Sequence, residues 1–180
     1  MRQLARMVML LMFSSVVAEA QGSRVDSAIS YFSRGNTWLE KGETDRAIED
    51  YTFAITFKPD YAEAYCSRGE ARRRKGQLAA AMADFEQSIK LNPRHSYAYN
   101  CRGITRFQLG EFDAAIADYS EAIRLDRRNA DAWSNRCAAF YQKGELEAAL
   151  SNCEHALKLD PRNVMARSGR YGVGTVTSPP

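Results

Sequence analysis

Apolar residues recur at helical spacing through most of the chain, in pairs of segments that are separated by a glycine. The first segment runs from about Ala28 to Lys41 and stops at Gly42, and the second runs from about Thr44 to Phe57. Apolar residues at i, i+3 and i+4 indicate an amphipathic helix. Pro59 prevents the second helix from continuing. The pattern therefore predicts a pair of helices, and the same pattern returns in three further units.

These units keep one step of 34 residues. The recurring positions are an aromatic (Tyr31, Tyr65, Tyr99, Trp133), an arginine (Arg34, Arg68, Arg102, Arg136), a glycine (Gly35, Gly69, Gly103, then Cys137), a second glycine (Gly42, Gly76, Gly110, Gly144), an alanine (Ala47, Ala81, Ala115, Ala149), an aromatic (Tyr51, Phe85, Tyr119, then Cys153) and a closing residue (Pro59, Pro93, Arg127, Pro161). Such regularity defines a repeat array. A glycine inside a helix is unfavourable, so we expect the first glycine to face the alanine across a close helix contact.

This order of landmarks resembles the tetratricopeptide repeat family. The resemblance covers residues 28–163 and implies an all-α fold, a right-handed α-solenoid of four tandem helix-turn-helix repeats of 34 residues whose first helices line a concave groove. The expected repeats are 28–61, 62–95, 96–129 and 130–163. A short polar lead-in is expected at 21–27, and a partial cap with a flexible tail at 164–180.

Glycines at 169, 172 and 174 are expected to interrupt any helix that begins at Val164. The cap on the fourth repeat would then be short or absent, which leaves apolar residues such as Leu150 and Leu157 partly covered. Three explanations fit this pattern: the tail folds over these residues, a partner or second copy docks on them, or the chain is truncated.

The N-terminus has the three-part pattern of a secretory signal peptide. Two arginines precede a twelve-residue run at Met7–Ala18 that is apolar except for Ser14 and Ser15, and Ala18-Glu19-Ala20 offers small residues before Gln21. Twelve residues of helix rise only ~18 Å, too short for a bilayer core of ~30 Å. We therefore expect residues 1–20 to be a signal peptide cleaved between Ala20 and Gln21, and the protein to be periplasmic or secreted. An uncleaved anchoring N-terminus is the alternative.

The charge balance argues against some classes of partner. The chain has 25 Lys and Arg against 22 Asp and Glu, a formal net charge of +3. A nucleic-acid or anionic-membrane surface needs a stronger basic excess, so neither partner is expected. No stable membrane span is expected after signal removal.

Catalysis is not expected. The chain has only two histidines, His95 and His155, and it lacks a phosphate-binding loop, a His-Glu-x-x-His helix and paired-cysteine zinc spacing. The sequence predicts no enzyme activity, no cofactor and no metal.

The four cysteines suggest pairing in an oxidising compartment. Cys137 and Cys153 are each eight residues from Glu145, just past the Gly144 turn, so they lie at the same height on facing helices. A disulfide there would close a loop of about 15 residues; two buried thiols are the alternative. Cys66 and Cys101 lie on successive first helices, whose separation makes pairing less easy.

Groove positions follow from the family resemblance. Those predicted to bind a partner are Phe32, Asn36, Leu39, Arg73, Arg74, Tyr97, Asn100, Ile104, Phe107 and Tyr141. Exposed apolar residues with polar neighbours often mark interaction sites. Asparagine amides at 36 and 100 suit an extended peptide backbone, and Arg73 and Arg74 belong either to a solvated helix end or to a patch for an acidic partner segment.

The sequence thus predicts an exported protein–protein interaction adaptor that binds a peptide segment or helix of a partner in the concave face. The alternative is a structural assembly module that self-associates through a poorly capped fourth repeat.

Overall fold

The computed structural model describes residues 22–177, and all regular secondary structure in that range is α-helical. The first helix, α1, is described over 22–40. The others are α2 (Thr44–Phe57), α3 (Ala62–Arg74), α4 (Leu78–Leu91), α5 (Ser96–Gln108), α6 (Phe112–Leu125), α7 (Ala130–Gln142), α8 (Leu146–Leu159) and α9 (Val164–Thr177). Consecutive helices pack in pairs, and each pair packs on the next, so the chain is an α-solenoid.

The second glycine of each unit ends the first helix. Gly42, Gly76, Gly110 and Gly144 all have φ between +75° and +78°, the left-handed region that favours glycine. The following N–H then reaches back to satisfy a free carbonyl, as the Glu43 amide does at the Trp38 oxygen at 2.9 Å. This turn reverses the chain and sends the second helix back along the first.

In the first three repeats the first glycine lies nearest to an aromatic ring, and not to the alanine that was expected. A Cβ added at Gly103 would lie 2.6 Å from a Tyr119 ring carbon, and Gly35 and Gly69 lie equally close to Tyr51 and Phe85. The alanines are nevertheless fully buried. Glycine is needed here because the ring lies so close to the backbone of the first helix that no side chain fits.

An arginine–aspartate contact joins the two helices of each of the first three repeats. Arg102 Nε and Nη2 donate to the Asp118 carboxylate at 3.0 and 2.7 Å, and Arg68 binds Asp84 in the same way. A second arginine, Arg106, donates to Asp118 at 2.8 Å. The carboxylates are almost fully buried, so these pairs are charge-assisted contacts within the fold.

The fourth repeat lacks this carboxylate. Arg136 Nε donates to the Asn152 amide oxygen at 2.8 Å, and Nη1 donates to Ser120. Burial lowers the pKa of Arg136, whereas in Arg102 the hydrogen bonds to Asp118 outweigh the same effect and raise the pKa. The Trp133 ring, 4.7 Å from the Arg136 guanidinium carbon, supplies a cation–π contact but no counter-charge.

Both ends of the described chain are more helical than expected. Residues 22–27 belong to α1, so the expected lead-in is wrong for that stretch, and the expected signal cleavage between Ala20 and Gln21 lies outside the described residues. The glycines at 169, 172 and 174 do not interrupt α9, which packs on α7 and α8 and buries Ala166 completely. The fourth repeat is therefore capped.

Within residues 22–177, no helix is both long and apolar enough to span a bilayer.

Exchanging aspartate and asparagine in the third and fourth repeats should have opposite effects on stability. Asn152→Asp gives Arg136 its missing carboxylate and should raise the free energy of unfolding by about 1 kcal/mol, or the Tm by about 2–4 °C. Asp118→Asn removes the carboxylate from two arginines and should lower the free energy of unfolding by about 2–3 kcal/mol. Thermal and urea unfolding measure both, and a destabilised Asn152→Asp variant would contradict the account.

Candidate functional site

The face lined by the first helices carries two adjoining cavities of about 290 and 280 Å³. The first lies between α1, α3 and α5, and the second lies between α3, α5, α7 and the start of α9. Glu70 and Tyr97 line both cavities and so form the boundary between them. We refer to this pair of cavities as the groove.

Seven of the ten predicted groove residues line these cavities. Asn36, Leu39 and Arg74 lie in the first, Arg73, Asn100 and Ile104 lie in the second, and Tyr97 borders both. The other three lie outside them. Phe32 packs on Tyr51 and Tyr61 with ring centroids 5.8 and 5.0 Å apart, Phe107 packs edge-on against Phe112, and the partly exposed Tyr141 approaches Gly172 of α9.

The asparagine at 36 presents its amide nitrogen to the groove. The Tyr51 hydroxyl donates to Asn36 Oδ1 at 2.8 Å, which leaves Nδ2 as the polar atom that no described residue uses. Tyr51 is fully buried, and burial raises the pKa of its phenol to about 12, so the hydroxyl remains a donor. The orientation of the Asn36 amide is therefore set by the fold.

Asn100 is arranged in the same way in the second cavity. Its Oδ1 accepts a hydrogen bond from Asn135 Nδ2 at 3.0 Å, and its Nδ2 donates to no other described residue. The Asn100 side chain is buried except for the surface that it presents to the cavity. Each cavity thus holds one amide donor in a fixed orientation.

A compact ion cluster occupies the boundary between the cavities. Arg73 donates two hydrogen bonds to Glu70, both of 2.8 Å, and Arg74 Nε donates a third of the same length. Burial opposes ionisation of Glu70, but the hydrogen bonds from the two arginines prevail and lower its pKa. The arginine run at the end of α3 is therefore not merely a solvated helix end.

The two free cysteines lie beneath this boundary. Cys66 and Cys101 are both buried, with 2% of each residue exposed, and both belong to one apolar cluster with Phe85. A hydrogen bond to Cys101, together with burial, raises the pKa of the Cys66 thiol. A buried thiol with a raised pKa is a poor nucleophile, so Cys66 is suited to packing in the core rather than to thiol exchange.

Two residues at the start of α9 complete the second cavity. Asn163 accepts a hydrogen bond from Ser134 at 3.2 Å and donates to Asp131 at 3.3 Å, and Met165 lies beside it with half of its surface exposed. Sequence reasoning missed both residues. Met165 lies one 34-residue step after Asp131, so the repeat period would have found it if a fifth unit had been counted.

A disulfide supports α9 from below. Cys137 and Cys153 are bonded, with Cα atoms 5.3 Å apart, in the places that a glycine and an aromatic hold in the other repeats. A Cβ added at Gly169 would lie 2.7 Å from Cys153 Sγ and 3.2 Å from Cys137 Sγ. The backbone of α9 therefore rests directly on the disulfide.

No group of His, Cys, Asp and Glu side chains within residues 22–177 has an arrangement that would hold a metal ion. The chemistry that these cavities offer is hydrogen bonding, charge and apolar contact, all on one face of an α-solenoid of helical hairpins.

Three family models match this chain. The model described as TPR repeat matches residues 35–72 and 105–144. Of two models described as tetratricopeptide repeat, one matches residues 62–95 and 130–163, and the other matches residues 85–117. The matches run without a gap from residue 35 to residue 163. The chain belongs to the tetratricopeptide repeat family, and the expected family is confirmed. Its fold is that of a protein–protein interaction scaffold.

Solved structures share this fold. A crystal structure of a MamA protein is 23% identical over 83% of this chain and 82% of that chain, with a TM-score of 0.72. MamA from Desulfovibrio magneticus RS-1 is 18% identical over 84% and 85%, with a TM-score of 0.74. Pseudomonas aeruginosa pilF is 16% identical over 86% and 70%, with a TM-score of 0.79. At these identities the likeness concerns the fold alone. No curated protein matches the chain.

Two substitutions on α9 test its seat on the disulfide. Gly169→Ala places a methyl group against two bonded sulfurs, which should destabilise the packing of α9. Overpacking of about 1.4 kcal/mol would make local opening of α9 about tenfold more frequent, and tryptic cleavage after Arg167 should become faster by the same factor. Gly172→Ala is the matched control, because its Cβ would meet Tyr141 only at 3.7 Å and alanine favours the helix.

Mass spectrometry of a proteolysis time course measures both rates. If the two variants are cleaved equally fast, Gly169 is not the contact that holds α9.

Proposed function

We propose that this protein is an exported adaptor that binds an extended peptide segment of a partner protein in the groove. The observation that carries the proposal is the pair of asparagines at 36 and 100. Their oxygens are occupied by Tyr51 and Asn135, so their N–H groups are held towards the cavities. Donors in fixed orientation suit backbone carbonyl groups, which every peptide presents irrespective of its side chains.

The size and order of the cavities support an extended ligand. Each cavity falls just below the ~300 Å³ at which small-molecule pockets begin, and the two lie in succession along the same face. Leu39 lines the first, while Ile104 and the half-exposed Met165 line the second. Apolar walls beside fixed donors suit successive side chains of one extended strand better than a single compact molecule.

Preorganisation favours binding here. The asparagine amides and the ion cluster of Glu70, Arg73 and Arg74 are already hydrogen-bonded within the fold, so little side-chain entropy remains to be lost. The first helices also rest on a continuous stack of packed hairpins, which keeps the two donors at a constant separation.

Self-association through the fourth repeat has no comparable support. Its apolar residues pack with Cys137, Cys153 and Ala166 into one cluster, and α9 lies over that cluster. A second copy would have to displace α9 before it could dock there.

An isosteric exchange tests the groove. Peptides selected by display against the full chain provide the probe, and their dissociation constants are measured by fluorescence polarisation. Asn36→Asp and Asn100→Asp keep the oxygen that Tyr51 or Asn135 uses but replace the free donor with an acceptor. Each should weaken binding about tenfold or more, because a lost hydrogen bond contributes ~1–1.5 kcal/mol and the new oxygen repels carbonyl groups.

Gln87→Glu is the control, because it adds the same charge on α4, a second helix that lines neither cavity. Equal losses for Gln87→Glu and Asn100→Asp would mean that the peptides do not bind in the groove.

Export is the second part of the proposal. It is supported by the charged, apolar and small-residue order of residues 1–20 and by the disulfide, a bond typical of oxidising compartments. In the native host, the intact mass of the exported chain should correspond to a start at Gln21. A chain that keeps Met1 and remains in the cytosolic fraction would contradict export without bearing on the groove.

A further inference from the structure

The charges along the groove alternate in sign. Two arginines, Arg73 and Arg74, lie at the centre, at the boundary between the cavities. Glu40 lines the outer side of the first cavity on α1, and Asp131 lines the outer side of the second cavity on α7. The face therefore runs from acidic through basic to acidic, a pattern that the net charge of the chain does not reveal.

The central charge is only partly neutralised. Glu70 is one carboxylate against two guanidinium groups, so the cluster keeps one net positive charge. Arg74 uses only Nε within residues 22–177, and half of its side chain is exposed. Its two terminal nitrogens therefore remain for a carboxylate from outside, and arginine can hold one with two parallel hydrogen bonds.

The outer carboxylates are also available. Neither Glu40 nor Asp131 forms a salt bridge within the described part of the chain, and both residues are exposed. Asp131 accepts only the 3.3 Å hydrogen bond from Asn163, which brings no positive charge. Each outer side thus offers a carboxylate that no arginine or lysine of residues 22–177 holds in a salt bridge.

We propose that the groove selects an extended segment with an acidic residue at its centre and a lysine or arginine on each side. This inference rests on the proposed function, since it names the partner chemistry of the same site. The central Asp or Glu pairs with Arg74, and the flanking basic residues pair with Glu40 and Asp131. Opposite signs in this order favour one register of the segment and disfavour segments of uniform charge.

Helix packing gives an approximate spacing for the charged residues along the bound segment. Neighbouring packed helices lie ~8–10 Å apart, and an extended chain rises ~3.3 Å per residue. Glu40 is one first-helix step from Arg74, which corresponds to about three residues of an extended segment. Asp131 is two steps away, which corresponds to at least about five. The expected segment is therefore asymmetric about its acidic residue.

Charge reversal tests the pattern. A display library of 15-residue random peptides is selected against the full chain, against Glu40→Lys and against Asp131→Lys. The wild-type chain should enrich an acidic centre with basic flanks. Glu40→Lys should convert the nearer flank to an acidic preference, and Asp131→Lys should convert only the farther one. Wild-type peptides should bind each variant about three- to tenfold more weakly, with the loss reduced at high salt.

Asp131→Asn is a milder companion, since it removes the charge but keeps an acceptor for Asn163; it should lose the farther preference without replacing it. Circular dichroism melts confirm that each variant folds. Selected sets that are unchanged by either reversal would overturn the charge pattern.

If those peptides still depend on the amides of Asn36 and Asn100, the peptide groove stands and only the charge pattern fails. If no peptide is enriched by the wild-type chain, both the groove and its charge pattern fail.

Discussion

The contact between a glycine backbone and an aromatic ring inside each of the first three hairpins is the constraint on which the rest depends. Gly35, Gly69 and Gly103 each lie so close to a ring that even a methyl group would clash, and this approach places the two helices of the hairpin at one separation. In the fourth repeat the bonded pair of Cys137 and Cys153 takes that place. The disulfide is small enough for the backbone of α9 to pack directly on it at Gly169.

Each first helix has two polar sides with different uses. On the side towards the second helix, arginines such as Arg68 and Arg102 are neutralised by buried aspartates. The groove side carries amides and an ion cluster whose hydrogen bonds leave selected atoms unused. Because the stack holds the first helices beside one another, residues many positions apart in sequence line a single surface.

Landmarks that recur at the 34-residue step could be predicted, because each fills the same place in successive hairpins. That includes the glycine turns, the helix pairs and the height at which Cys137 and Cys153 meet. Which residues line the groove was harder to predict. Phe32 and Asn36 lie one turn apart, yet Phe32 turns onto Tyr61 while Asn36 lines the first cavity. Side-chain direction at such positions depends on neighbours from other helices, which a period cannot specify.

At the C-terminal end the repeat period was the better guide, and local propensity misled. Glycine propensity suggested that 164–180 would not remain helical, but the period would have placed a fifth first helix there, and packing on α7 and α8 prevails over propensity. The same helix brings Asn163 and Met165 to the second cavity, so the cap that completes the solenoid also completes the groove. The stability of the solenoid end and the shape of the second cavity share these residues, so the contact of Gly169 with the disulfide also bears on the wall of that cavity.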